Sequence, residues 1–165
     1  DQTDPRDLKP DLLRSSVALV RGIEVFEGAI FENVQMARPG VSMTDVRTAL
    51  DAVGLLDGLL RLPEGLDNEL RASGHPLLPN QLRLLMIARA LAASPQLILL
   101  DELLDGLGDR QLDSAVAALT DDAKTWTVMI ATNRADVARR LSRTIDLQLR
   151  RSSRPTAAHD GEATH

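Results

Sequence analysis

Two adjacent carboxylates, Asp101 and Glu102, follow a run of four apolar residues, 97–100. An acid at the carboxyl end of a buried strand can help to hold Mg²⁺, and a neighbouring acid can orient or activate a water for attack on a phosphate. Open parallel sheets bind their ligands at this edge. The alternative is that the pair is only the polar end of a strand, where the chain leaves the core. Both interpretations stay open on these residues alone.

Composition narrows the classes of function. The chain has 165 residues, 44% of them hydrophobic, which suits one domain with a substantial core. Its net charge of −5 and its 2% of aromatic residues argue against a nucleic-acid partner, which would need basic and stacking surfaces. There is no cysteine, and the three His show no metal-ligand spacing. No apolar run approaches the length of a membrane span.

Strand and helix patterns alternate along the chain. A helix is predicted at 43–53, with Ser42 as its cap and Gly54 at its end, and a nearly all-apolar helix at 80–93 is expected to lie between two layers. Further helices are predicted near 112–119 and 135–141, and strands at 16–20, 97–100, 125–131 and 144–149. This alternation predicts an α/β fold with a parallel sheet.

The predicted domain organisation is simple. One domain covers 1–150, and within it the region 34–93 is predominantly helical and is predicted to form a subdomain. Residues 151–165 are polar and are predicted to form a disordered tail.

The segment 74–108 contains Ile87-Ala88-Arg89-Ala90-Leu91, then Pro95, an apolar strand and Asp101-Glu102. In this order and spacing it resembles the nucleotide-binding domain of ABC transporters. In that family a signature opens a helix close to Ile87-Ala88-Arg89-Ala90-Leu91, and a proline, a hydrophobic strand and Asp-Glu follow, as Pro95 and Asp101-Glu102 do here. The stretches 25–34 and 62–70 resemble the exporter form, and the resemblance extends over 7–150. It implies a P-loop NTPase-like sheet with a helical subdomain and Mg-ATP as cofactor, with Asp101 contributing to Mg²⁺ binding and Glu102 polarising the attacking water.

Other site positions follow from the same resemblance, and several depart from the family pattern. The signature, which contacts the nucleotide bound on the partner domain, aligns with Leu77, Leu78, Pro79, Asn80 and Gln81. Pro79 lacks a backbone N–H that a phosphate could use, and Asn80 places a side chain where close approach needs Gly. Gly22 lies at the position of the Gln-containing loop, and Asn133 aligns with the switch His. Asn can still donate to a phosphate oxygen, but it cannot be protonated.

No Gly-x-x-x-x-Gly-Lys-Ser/Thr stretch occurs in the sequence. In the family this phosphate-binding loop lies upstream of the residues that resemble 7–19, so the chain is expected to begin after it. In the family, the strand before that loop lies centrally, between those that resemble 126–131 and 144–149. Each unpaired buried backbone group costs about 1 to 3 kcal/mol, against a total stability of roughly 5 to 15 kcal/mol. The incomplete sheet therefore predicts that the chain alone is unstable, or that its last strand shifts inward.

The predicted function is the C-terminal portion of the ATP-binding and ATP-hydrolysing domain of an ABC exporter, inactive as this isolated chain. Its expected partners are a second nucleotide-binding domain and the transmembrane domain of an exporter, without nucleic acid, at the cytoplasmic side of the cell membrane. One alternative is a degenerate, non-catalytic partner with a structural or regulatory role in a heterodimeric transporter. Another is an α/β interaction domain that binds no nucleotide.

Overall fold

A three-stranded parallel sheet carries the two carboxylates. The computed structural model describes residues 16–147. The sheet contains β1 (Val17–Val20), β4 (Leu97–Asp101) and β5 (Thr127–Ala131), in the order β1–β4–β5. Two short strands, β2 (Gly28–Ala29) and β3 (Glu69–Leu70), form a separate antiparallel ribbon. The predicted α/β class and its parallel sheet are confirmed.

Within residues 16–147, six α-helices connect and cover these strands. They are α1 (Ile30–Gln35), α2 (Met43–Ala52), α3 (Leu56–Leu59), α4 (Pro79–Ala92), α5 (Asp109–Leu119) and α6 (Ala135–Ala138). Two 3₁₀ turns, Gly65–Asp67 and Leu103–Gly106, complete the described elements. The helix predicted over 80–93 thus begins one residue earlier, because Pro79 has the fixed φ and the missing N–H that suit a first helical position.

Helix α4 forms the centre of the core. Nine of its 14 residues are buried, among them Leu85, Met86 and Ile87. It packs against β1 and also against α1, α2 and α5. The expectation of a helix enclosed between layers is therefore confirmed.

Helix α2 begins where its sequence predicts and ends one residue earlier than predicted, at Ala52. The Ser42 hydroxyl accepts a hydrogen bond from the Asp45 N–H at 3.2 Å, and the Asp45 carboxylate accepts one from the Ser42 N–H at 2.9 Å. This reciprocal pair satisfies two donors of the first turn. At the other end Gly54 has φ +70°, a left-handed conformation that glycine adopts at no steric cost.

One face of the sheet carries apolar side chains that the described residues leave uncovered. Leu19 on β1 is paired in register with Leu99 on β4, which is paired in turn with Met129 on β5. Leu19 is 51% exposed and Met129 is 63% exposed. The opposite face, with Ile98 and Leu100, is buried in the core.

The last predicted strand is wrong over its described part. Residues 144–147 form no strand and are exposed, with Leu147 88% accessible, whereas 148 and 149 lie outside the described residues. The predicted inward shift is also absent, since β5 pairs only with β4 within 16–147. Alternation of apolar and polar residues forms a strand only where a neighbour supplies a ladder and a packed face. Residues 144–147 have neither among the described residues.

Two other predicted element boundaries differ from those in the structure. The predicted helix 135–141 is α-helical only to Ala138, after which Arg140 and Leu141 bond three residues back, to Val137 and Ala138. This tightening is common in the last turn of a helix. Strand β5 begins at Thr127 rather than 125. The predicted tail, 151–165, lies outside the described residues.

Candidate functional site

The carboxyl ends of β4 and β5 bring the two carboxylates beside the segment that follows β5. Asp101 and Ala131 are paired in register at the end of the two strands. The Glu102 N–H donates to the Ala131 carbonyl at 2.9 Å, which extends the ladder by one bond. The residues that leave β4 and β5 are therefore neighbours, although more than twenty positions separate them in the sequence.

Glu102 has a left-handed backbone conformation, with φ +52° and ψ 9°. For a residue with a Cβ this costs about 1 kcal/mol, so the surrounding structure must impose it. The next two residues, Leu103 and Leu104, are both buried and begin the 3₁₀ turn. Burial of these leucines directs the turn into the core and leaves the Glu102 side chain exposed at the sheet edge.

Asn133 contacts Glu102 directly. The Asn133 Nδ2 amide donates to Glu102 Oε1 at 2.7 Å, and both side chains are exposed. A carboxylate accepts such a bond most strongly when it is ionised. The amide can donate to a phosphate oxygen in the same way, but it cannot take up a proton.

Asp105 fixes the segment that carries Asn133. Its Oδ1 accepts a hydrogen bond from the Thr132 hydroxyl, and its Oδ2 accepts one from the Asn133 N–H at 3.1 Å. The sequence interpretation missed this residue. A signal was present: Asp105 lies four positions after Asp101, in a turn that must leave the same sheet edge.

Arg134 joins the same two segments from the other side. Its Nη1 donates to the Leu107 carbonyl at 2.7 Å and to the Asp105 carbonyl at 3.3 Å. Its Nη2 and Nε donate to the two carboxylate oxygens of Asp136, at 2.6 and 3.1 Å. This hydrogen bond lowers the pKa of Asp136 to about 2 and raises the pKa of Arg134. The sequence interpretation also missed Arg134, although it directly follows Asn133.

The five residues at the signature position form the first turn of α4 and the approach to it. Leu77 is buried, whereas Leu78 is exposed. The Leu78 N–H donates to Gln81 Oε1 at 2.9 Å, and the Gln81 N–H donates to Asn80 Oδ1 at 3.0 Å. Pro79 has no N–H, and side chains accept from the N–H groups of Leu78 and Gln81. These three backbone positions therefore offer no free donor to an anion.

The start of α4 contacts the turn that follows Glu102, but not Glu102 itself. Asn80 Nδ2 donates to Gln111 Oε1 at 3.1 Å. The Arg83 guanidinium lies directly against Gly106, where a Cβ would collide with it. Glu102 and Asn133 are thus brought together, and neither is hydrogen-bonded to the signature position. Gly22 lies elsewhere, in the wall of a cavity beside β1 and α4.

The residues predicted to bind Mg²⁺ and the attacking water, Asp101 and Glu102, both lie at the open edge of the sheet. Asp101 is exposed and makes no side-chain hydrogen bond or ion pair within 16–147, so its carboxylate is open to a cation. Glu102 is engaged by Asn133. No group of three His, Asp or Glu that could hold a metal ion occurs in this part of the chain. The carboxylates supply two oxygen donors of the kind Mg²⁺ prefers, and substrate phosphates and waters commonly complete such sites.

Curated relatives cover most of the chain. An ATP-dependent lipid A-core flippase from Neisseria meningitidis serogroup A is 32% identical over 126 residues, 74% of this chain and 20% of the relative. ABC transporter 1 from Ajellomyces capsulatus is 37% identical over 125 residues, 73% of this chain and 9% of the relative. The uncharacterized ABC transporter ATP-binding protein YknV from Bacillus subtilis is 38% identical over 98 residues, 59% of this chain and 16% of the relative. The chain thus spans a fifth or less of the length of each.

The fold matches a solved exporter. A bacterial Atm1-family ABC exporter with ATP bound superposes with a TM-score of 0.69 and 27% identity, over 76% of this chain and 22% of the exporter chain. No protein-family model matches the chain. Within residues 16–147 no helix has both the length and the apolar character needed to cross a bilayer. The relatives of this chain are therefore ABC transporter proteins, and its fold matches part of the nucleotide-binding domain of an ABC exporter.

Proposed function

We propose that the chain is the C-terminal portion of the ATP-binding domain of an ABC exporter, which couples Mg-ATP binding and hydrolysis to transport across a membrane. As an isolated chain it does not hydrolyse ATP. The observation that carries this proposal is the Glu102–Asn133 hydrogen bond at the ends of two adjacent parallel strands. Open α/β sheets bind ligands at this edge, and relatives with ATP-binding names support the nucleotide.

Each site residue has a proposed task. Asp101 contributes an oxygen to Mg²⁺, the Glu102 carboxylate orients the attacking water, and the Asn133 amide donates to a phosphate oxygen. Bound Mg²⁺ would neutralise charge on the transferred phosphate. The signature position, residues 77–81, faces the nucleotide of a second domain, and Gly22 lies in the loop between the sheet and the helices.

The proposed partners are a second nucleotide-binding domain, identical or different, and the transmembrane domain of an exporter. The chain then works at the cytoplasmic side of the membrane. The helices of the region 34–93 act as a subdomain beside the sheet. Names of the relatives support a transporter, and the ATP-bound exporter that shares the fold supports the assembly.

The first test measures hydrolysis by the isolated chain. Phosphate release from Mg-ATP should equal that of the Glu102→Gln variant and of buffer. A matched control, Asp57→Asn, removes an exposed carboxylate in α3, outside the site. Release by the wild-type chain above that of Glu102→Gln, with Asp57→Asn unchanged from wild type, would show that the chain alone is catalytic.

The second test asks whether Glu102 works in a complex. The chain is mixed with an exporter nucleotide-binding domain that carries a complete phosphate-binding loop, and association is followed by sedimentation with and without Mg-ATP. We expect Mg-ATP to promote the complex, and Glu102→Gln to lower its hydrolysis. No association under either condition would contradict the proposed pairing of domains.

A degenerate, non-catalytic partner is the second candidate function. It is favoured by the first turn of α4, where Gln81 and Asn80 side chains occupy backbone donors and Pro79 lacks one. In that case the mixed complex still forms with Mg-ATP, but Glu102→Gln leaves its rate of hydrolysis unchanged. The mixing experiment therefore separates the two candidates.

A further inference from the structure

A cavity of about 520 Å³ lies at the end of the sheet where the strands begin, opposite the end that carries Glu102 and Asn133. Its wall comes from the start of β1, from the loop that joins α1 to α2, and from the end of α4. Ala18, Val41 and Ala92 give it a buried apolar floor. Protein interiors are close-packed, so a space of this size beside apolar atoms indicates an occupant other than the described residues.

Two charged side chains of opposite sign belong to the same wall. Arg38 lies in the loop after α1, and Asp45 lies in the first turn of α2. Hydrogen bonds from the Ser42 hydroxyl and N–H lower the pKa of Asp45, so its carboxylate is ionised at neutral pH. The cavity therefore combines an apolar floor with one cation and one anion.

The chain enters the cavity wall directly from residues 1–15, which lie outside the described residues. The Gln96 N–H donates to the Ser16 carbonyl at 2.8 Å, which holds the start of β1 beside the segment that follows α4. Val17 is itself a wall residue, and Leu13 precedes it by four positions. Four residues span at most about 13 Å, so Leu13 and the preceding leucine are close enough to reach the floor.

Residues 11–14, Asp-Leu-Leu-Arg, match the wall in polarity and in charge. The two leucines suit the apolar floor, where their burial would remove apolar surface from water. The acid of the segment suits Arg38, and its arginine suits Asp45. Charge pairs of this kind fix the register and orientation of a docked segment.

We propose that residues 11–14 dock in this cavity, with their leucines on the apolar floor and their charged side chains beside Arg38 and Asp45. The cavity then ties the N-terminal segment to the loop between α1 and α2. Residues 151–165 are no alternative occupant, since they contain no Leu, Ile, Val, Met or Phe. The docking site is at the opposite end of the sheet from the proposed nucleotide site and does not depend on it.

Disulfide cross-linking of the full chain tests this placement, since the sequence contains no native cysteine. Leu13→Cys is combined with Ala93→Cys, a half-buried wall position just after α4, and Leu12→Cys is combined with it in a second variant. A disulfide needs Cα atoms within about 7 Å, so we expect an intramolecular cross-link in at least one pair on mild oxidation. The matched control, Leu13→Cys with Ala131→Cys, places the second thiol at the opposite end of the sheet and should cross-link at least about tenfold more slowly.

Other occupants give different products. A disulfide that joins two chains would show that a second copy fills the cavity. No excess over the control in either pair would show that a small molecule or solvent alone fills it. Each of these results overturns the proposal.

Charge reversal is a second measurement that needs no cysteine. Asp11→Lys and Arg38→Glu should each lower the melting temperature, by about 2 °C or more, because each places like charges together. Combined in one chain, the two substitutions should restore most of the loss. The control combination, Asp11→Lys with Arg61→Glu, changes an exposed arginine that does not line the cavity and should restore nothing. Equal melting temperatures in the two combinations would overturn the charge pairing.

Discussion

Asn133 Nδ2 and Glu102 Oε1 lie 2.7 Å apart although their residues are 31 positions apart in the sequence. The parallel pairing of β4 with β5 creates this contact, since both residues follow the last paired positions of their strands. Glu102 reaches it from a left-handed backbone conformation. Residues in strained backbone conformations cluster at functional sites, where the surrounding structure holds them in place.

The strain at Glu102 predicts that Glu102→Gly is more stable than Glu102→Ala, by about 1 kcal/mol, because only glycine accepts φ +52° without a steric cost. Both variants lose the hydrogen bond to Asn133, so the difference between their free energies of unfolding reports the backbone strain alone. Urea denaturation of the two variants measures it.

The matched control is Thr48, an exposed position inside α2. There the order should reverse, with Thr48→Gly less stable than Thr48→Ala by about 1 kcal/mol, because glycine lowers helix stability. The same order at both positions would contradict a left-handed Glu102.

Asp105 should contribute more to stability than its exposed neighbours. Asp105→Ala leaves the Thr132 hydroxyl and the Asn133 N–H without their acceptor, and we expect a loss of about 1 to 2 kcal/mol. Asp122→Ala removes an exposed aspartate that makes no side-chain hydrogen bond among the described residues and should stay within about 0.5 kcal/mol of wild type. Equal unfolding free energies for the two variants would show that Asp105 does not hold the segment after β5.

Local patterns predicted the elements best. Helix α2 was predicted from its cap, its apolar spacing and Gly54, and all three have the expected roles. Helix α4 was predicted from apolar residues that are buried as expected, whereas strand β4 buries only Ile98 and Leu100, on one of its two faces. In each case the information lies within about fifteen consecutive residues, where spacing and capping operate.

Interactions between distant segments were harder to predict. Residues 144–147 alternate as a strand does, but a strand also needs a paired neighbour, which the described residues do not supply. Asp105 and Arg134 join two segments that become neighbours only through the β4–β5 register. Asp101, Glu102 and Asn133 could be named because a resemblance supplied their alignment. Their tasks in catalysis stay predictions.

The Arg134–Asp136 pair predicts how the free energy of unfolding depends on pH. The hydrogen bond from Arg134 lowers the pKa of Asp136 from 3.8 to about 2 in the folded chain. A carboxyl group whose pKa is lower in the folded than in the unfolded chain stabilises the fold at pH values above its unfolded-state pKa. This contribution is lost as the pH falls toward the folded-state pKa. The advantage of wild type over Asp136→Asn should therefore be constant above pH 3.8 and should shrink between 3.8 and about 2.

Urea unfolding of both proteins at a series of pH values measures this difference. High salt should reduce it, because the carboxylate is exposed and its charge is screened. Arg134→Gln provides the control: in that background the pH-dependent effect of Asp136→Asn should be much smaller, because Arg140, 3.5 Å from the Asp136 carboxylate, is then the remaining cation beside it. A difference that grows as the pH falls would contradict the lowered pKa.

Gly74 should tolerate no larger side chain. It has φ +85°, and a Cβ there would lie far inside van der Waals contact of Leu82 Cδ1, in the buried first half of α4. We expect Gly74→Ala to cost about 2 to 4 kcal/mol, roughly 1 from the left-handed backbone and the rest from the collision. Gly58→Ala is the control, because no atom lies within 4 Å of its Cβ position and the residue is in α3. It should be neutral or stabilising by up to about 1 kcal/mol.

A double-mutant cycle separates the two parts of the cost at Gly74. In a Leu82→Ala background the collision is absent, so Gly74→Ala should cost only the backbone part, about 1 kcal/mol. The coupling energy between the two sites then equals the energy of the collision. If Gly74→Ala costs the same in both backgrounds, Leu82 does not pack against Gly74, and the approach to α4 has a different conformation from the one described.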